Sequence, residues 1–176
     1  MDELERHFIL AKLQETRETF CGEVKGVGED QARWKPAPEI WSILECAEHV
    51  AVAEQRMLYL LTKKTTPLVE GVARVGREHE ILARGTDRTK KFKAPEGASP
   101  VGRFETLNEA LAAFKANRSQ TITYIEGCQE ELRTRETTHP LLGLVTAQEC
   151  LALLVVHPAR HALQVREIRQ HPQFPR

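Results

Sequence analysis

The chain has 176 residues, 41% hydrophobic and 28% charged, with 25 basic and 25 acidic side chains and a formal net charge of zero. That length suits a single domain, residues 1–176, built around one sizeable core. The neutral balance argues against a general nucleic-acid binder, which carries a basic excess, and no apolar run reaches the roughly eighteen residues that a membrane span needs.

Helical periodicity begins at about Asp2 and continues to Val24, where Ile9, Leu13, Thr16 and Phe20 recur on one face. This first stretch starts acidic and alternates charged with apolar residues, unlike a signal peptide. A cytoplasmic protein is therefore expected. Gly22, Gly26 and Gly28 then loosen the chain, and Pro36 and Pro38 keep the next stretch extended. A second helix opens at Ser42, where Ser42 and Glu45 have capping-box spacing. Its apolar stripe is Ile43, Cys46, Val50, Ala53, Met57 and Leu60, and it frays over Thr62 to Pro67. From Pro67 to Phe104 a long connection is expected, with a short helix somewhere in Val72 to Arg84 and a loop from Gly85 to Gly102. The basic run Arg84 to Lys93 reads as a solvated loop.

A third helix runs from about Thr106 to Glu126, with Leu107, Leu111, Phe114, Thr121, Ile122 and Ile125 on its buried side and Gly127 as terminator. A loop carrying His139, Pro140 and Gly143 follows. Thr146 and Glu149 form a second capping box, opening a fourth helix that runs to about Gln170. Its stripe is Leu151, Leu154, His161, Val165 and Ile168, with His157 on the adjoining edge. No window alternates as a strand does. Four amphipathic helices of about twenty residues favour an all-α four-helix bundle, and the long middle connection implies at least one crossover.

The four cysteines form no CxxC pair and are read as small buried hydrophobes. The histidines carry more information. His157 and His161 are spaced i, i+4, so both rings lie on one helical face about 5–6 Å apart at Cβ. His49 points with the apolar face of the second helix. Any one buried histidine is most simply a core residue bonded to a carbonyl, and His-x3-His alone is a weak signal. Three imidazoles on apolar faces are costly to bury unless each nitrogen finds a partner, and one divalent cation satisfies all three. Three protein ligands leave a position for water or substrate, as in catalytic metal sites. Imidazole accepts zinc, nickel, iron and copper alike.

Around these residues, Glu45 and Glu48 are candidates to support His49 or to act as a base, and Gln164 to hold a water. Arg160 and Arg166 either steer an anion or pair with carboxylates. Pro158 removes the helical donor to the Leu154 carbonyl, at a cost of about 3 kcal/mol unless the helix kinks. A kink there would tilt His157 relative to His161. His7 and His79 are expected at the surface, His171 lies near the C-terminus, and His139 is expected in a surface turn.

Three stretches, WSILECAEH (41–49), HPLLGLVT (139–146) and HPARHALQVREIR (157–169), together with the helix layout resemble the DinB-like (damage-inducible) superfamily over nearly the whole chain. The resemblance implies an up-down-down-up bundle, a likeness to metalloenzymes with a divalent metal on His49, His157 and His161, and a homodimer. Pro158 departs from the family pattern. Some members of that family are thiol transferases and some are thiol-dependent isomerases. The expected protein is thus a metal-dependent transferase or hydrolase that activates a low-molecular-weight thiol or water against a small-molecule substrate. The rival expectation is a noncatalytic stress or interaction protein with a structural or empty metal site.

Overall fold

The computed structural model describes residues 1–68 and 72–176; residues 69–71, inside the long connection, lie outside that description. Among the described residues there are six α-helices: α1 (Glu3–Val24), α2 (Glu29–Arg33), α3 (Ile43–Lys63), α4 (Glu78–Arg84), α5 (Leu107–Gly127) and α6 (Ala147–Arg169). α1, α3, α5 and α6 are the four long helices of the bundle. Both expected capping boxes form. Glu45 N donates to Ser42 Oγ at 3.1 Å and Ser42 N to Glu45 Oε2 at 2.7 Å; the Thr146–Glu149 pair closes at 3.0 and 2.7 Å. A third box, Thr106 with Glu109, starts α5.

Contacts between side chains fix the helix directions. On α1 and α6, Glu5 meets Gln148 and Glu23 meets Arg166, so these two run parallel. On α1 and α5, Arg6 reaches the Ile125 carbonyl and Phe20 packs on Phe114, so these run antiparallel. Asn117 bonds the Ala51 carbonyl and Thr121 bonds Glu54, which makes α3 and α5 parallel. The order is therefore up-down-down-up. Two successive parallel helices cannot be joined by a tight turn, and the long connection between Lys63 and Leu107 carries the chain back along the bundle.

The apolar stripes pack as two clusters. One centres on Leu13, Ile125, Leu151 and Leu154, the other on Phe20, Val50, Phe114 and Val165. Where they meet lies a fully buried ion pair that periodicity did not reveal: Arg118 Nη2 donates to Glu54 Oε2 at 2.8 Å, with both side chains at most 1% exposed. Arg118 also reaches the Leu13 and Leu154 carbonyls and Thr16, and Thr121 donates to Glu54. One polar network thus ties all four long helices together.

The expectation that no strands form is corrected by a small antiparallel sheet: β1 (Thr66–Pro67), β2 (Arg135–His139) and β3 (Gly143–Thr146). In β2 only Thr137 is buried, so an apolar alternation was never there to read. Pairing with β1 and β3 holds the strand instead. Gly143 takes the left-handed backbone (φ 70°) that closes a three-residue hairpin loop at Pro140–Leu142. The expected short helix within Val72 to Arg84 is confined to α4. Among the described residues no helix is long and apolar enough to cross a membrane.

Candidate metal centre

α3 and α6 bring His49, His157 and His161 to one point. His49 and His161 are buried, 5% and 7% exposed, and His157 is half-buried on the adjoining edge, as its position in the stripe implies. His49 Nε2 lies 3.1 Å from His157 Nε2, and His161 Nε2 lies 3.2 Å from the same atom. In a tetrahedral site with bonds of about 2.0–2.1 Å, two ligand nitrogens stand roughly 3.3 Å apart. The two separations from His157 are therefore close to a tetrahedral edge, and all three ligand atoms lie within 4.8 Å of one another. Among the described residues no further His, Cys, Asp or Glu joins the group, which leaves one corner open.

The far side of two rings determines what faces that point. His49 Nδ1 lies 2.8 Å from the Ala98 carbonyl, which can only accept, so Nδ1 carries the proton and Nε2 presents a lone pair. His161 Nδ1 lies 3.0 Å from Gln164 Oε1. Arg88 Nη1, which can only donate, also points at that oxygen from 3.2 Å and so fixes which way the amide faces. His161 Nδ1 is then likewise a donor and its Nε2 a lone pair. Two lone pairs converge on His157 Nε2, and a single proton there cannot serve both. A cation at the centre satisfies all three rings, and carbonyl and amide partners behind metal-binding imidazoles are the usual orienting groups.

Electrostatics point the same way. Burial lowers the His49 pKa, and burial with the neighbouring rings pushes His157 and His161 well below the ordinary imidazole value. The rings are thus neutral near pH 7, the form that binds metal. The Arg118 charge adds to the pressure against protonating His157. Trp41 packs at 4.9 Å from the His49 ring and 6.2 Å from the His161 ring, covering that side.

α6 continues through Pro158 without a break in its assigned helix. The Leu154 carbonyl, which proline cannot serve, accepts instead from Arg118 Nη2 at 3.1 Å. The buried arginine thus replaces the missing helical donor one turn before His157 and His161. Its signal was present in the sequence: Arg118 sits on the α5 stripe between Phe114 and Thr121, and Glu54 on the α3 stripe between Val50 and Met57.

Other candidates sort clearly. Glu48 is buried but does not touch a ring; it accepts from the Val101, Gly102 and Arg103 amides and from the Arg103 side chain. This ties down the segment whose Ala98 carbonyl orients His49. Glu45 is engaged in its cap and with Lys35. Arg166 pairs with Glu23 away from the site. Arg160 bonds the Asp87 and Lys90 carbonyls and stacks on Phe92 beside it. His7 and His79 are exposed and His171 half-buried. His139, expected in a surface turn, ends β2 half-buried on the wall of the same cleft as the histidine trio. The cysteines are free, and three are buried, with burial pushing the Cys150 thiol up to about 12. None joins the trio.

The site opens into a cleft of about 1820 Å³ between α3, α6, the hairpin and the segment after α4. Its size admits a small molecule, and apolar groups such as Leu60, Phe92 and Leu141 share its wall with polar ones.

Comparison with known proteins matches this architecture. The YuaE protein of Bacillus subtilis strain 168 is 27% identical over 158 residues, covering 89% of this chain and 94% of YuaE. Among solved structures, YfiT from Bacillus subtilis superposes with a TM-score of 0.63 at 13% identity, covering 99% of this chain and 91% of YfiT; it is described as a probable metal-dependent hydrolase with an unusual four-helix bundle topology. TT2238, a four-helix bundle protein, superposes with a TM-score of 0.60 at 16% identity, over 92% of this chain and 98% of its own. The sequence profile of the DinB superfamily matches residues 12–165, and the chain belongs to that superfamily.

Proposed function

We propose that this protein is a metal-dependent enzyme in which His49, His157 and His161 hold one divalent cation and a small nucleophile, water or a thiol, occupies the open corner. The observation that carries this reading is the convergence of three Nε2 atoms, those of His49 and His161 each 3.1–3.2 Å from that of His157 and each with its proton fixed on the opposite nitrogen, with no fourth protein donor in the group among the described residues. A structural site is usually closed by four protein ligands. When bound, the cation supplies Lewis acidity and lowers the pKa of the group it holds.

This chain's own residues do the rest. The Ala98 carbonyl and Gln164 hold the two outer rings in the ligating tautomer. Trp41 shields them from solvent on one side. Glu48 is occupied by backbone amides and by Arg103 and is not free to act as a base. The likeness to YfiT, described as a probable metal-dependent hydrolase, supports the hydrolytic form. The engagement of Glu48 elsewhere and the thiol chemistry implied by family resemblance support the thiol form. The homodimer implied by the same resemblance belongs to this proposal and is checked by light scattering.

The test combines metal with turnover. Protein prepared without a histidine tag and reloaded with zinc, nickel or iron is assayed on 4-nitrophenyl acetate for hydrolysis and on chlorodinitrobenzene with a small thiol for transfer. Metal-dependent turnover in either assay, lost in His157→Ala, is expected. Full zinc loading with no turnover, and an apo protein much less stable than the loaded one, would favour a cation that only braces the bundle.

A further inference from the structure

The chain is electrically neutral, but the cleft is not. Nine of the 25 Lys and Arg residues line it, against four of the 25 Asp and Glu residues. Several of these cations are already engaged: Arg88 with Glu167, Arg77 with Glu149, and Arg160 with two backbone carbonyls. Arg56, Lys90, Lys91 and Lys93 have no carboxylate partner among the described residues.

Their placement is built. Arg56 lies seven residues after His49 on α3, hence on the same face and about 10 Å further along the axis. Its guanidinium lies against Gly97, where an added Cβ would meet Nη1 at 2.5 Å, so a glycine makes room for it. Gly97 belongs to the same short turn as Ala98, the residue that orients His49. The lysines ride on the segment that Arg160 pins through the Asp87 and Lys90 carbonyls and the Phe92 ring. Arg160 itself is three residues from His157. The basic run that reads in sequence as a solvated loop is thus anchored at the mouth of the site.

We infer that the substrate is an anion, carrying a carboxylate or phosphate that lies against Arg56 and the Lys90–Lys93 wall while its reacting end meets the histidine trio. This deepens the metal-enzyme reading and rests on it. Three neutral imidazoles leave a divalent cation's charge uncompensated, and a bound hydroxide or thiolate removes only part of it. A cleft of this sign draws anions in and raises their local concentration. The apolar groups between the two ends suit a short aliphatic or aromatic spacer.

The test uses probes that bind through a hydroxamate. Acetohydroxamate reads the metal centre alone. Longer hydroxamates with one aliphatic chain, ending in a carboxylate, a phosphonate or a carboxamide, read the cleft. On zinc-loaded protein at low salt the charged tails should bind about five- to tenfold tighter than the carboxamide, the size of two or three exposed ion pairs. The advantage should shrink in added salt and vanish in Arg56→Ala/Lys91→Ala/Lys93→Ala, while acetohydroxamate affinity holds. The carboxylate and phosphonate arms show which anion is preferred. Equal affinity for charged and neutral tails, or a preference that survives the triple variant, overturns the inference. If acetohydroxamate fails to bind, the metal reading fails by itself. The cleft is then read on metal-free protein by saturation-transfer NMR with hexanoate against hexanamide, where equal signals overturn the anion assignment.

Discussion

Replacing Arg118 with methionine tests whether a buried charge on α5 substitutes for the donor that Pro158 removes from α6. The change leaves Glu54 buried without its cation and removes the donor from the Leu13 and Leu154 carbonyls. Breaking one partner of a buried pair costs about 3–5 kcal/mol. Pro158→Ala alone restores a main-chain N–H to the Leu154 carbonyl, but Arg118 already serves that oxygen. Its gain should therefore fall short of the roughly 3 kcal/mol charged to an uncapped interior proline. The informative quantity is the coupling. In the Pro158→Ala background, losing Arg118 strands one carbonyl fewer, and a buried unsatisfied acceptor costs about 1–3 kcal/mol. Arg118→Met should thus be less damaging there by about that amount, since the Glu54 and Leu13 losses occur in both backgrounds and cancel. Equilibrium urea unfolding of the four metal-free proteins, with unchanged m-values, measures it. Costs that add to within about 0.5 kcal/mol would show that the two residues act independently and that Arg118 does not stand in for the missing donor.

Gln164→Met frees the His161 tautomer and should weaken zinc binding about 10–100-fold with little change in fold, read by competition with a chelating dye. Glu48→Ala releases the 98–103 segment and should cost roughly 2–3 kcal/mol while speeding amide exchange at Val101, Gly102 and Arg103; unaltered exchange there would contradict its anchoring role. Acid should act through the trio. All three rings have folded pKa values below the unfolded value of about 6.5, so as pH falls the unfolded chain takes up protons first. Stability and bound metal are therefore full above about pH 6.5 and lost progressively below it. Metal content that is flat from pH 7 to pH 5 would exclude these ligands.

Much of this was legible because the signals are local. The capping boxes at Ser42 and Thr146 depend on residues three apart, and the i, i+4 spacing of His157 and His161 is a property of one helix. The stripes predicted for α1 and α6 are buried residue by residue, from Ile9 through Phe20 and from Leu151 through Ile168. What escaped depends on distant partners. Arg118 and Glu54 occupy apolar stripe positions because each neutralises the other across the bundle, which no single helix displays. β2 is a strand because β1 and β3 pair with it, not because its side chains alternate. The basic segment 84–93 reads in sequence as an ordinary solvated loop because Arg160, which holds it beside the site, lies some seventy residues later.

In the proposed enzyme His49, His157 and His161 bind one metal ion together. X-ray absorption on protein prepared without a histidine tag and loaded with one equivalent of zinc addresses it directly. Three imidazole nitrogens at about 2.0–2.1 Å with one further light-atom ligand are expected, together with loss of bound zinc when any one of the three is changed to alanine. Zinc that washes out of the native protein, or that stays bound with the same spectrum in His157→Ala, would contradict it.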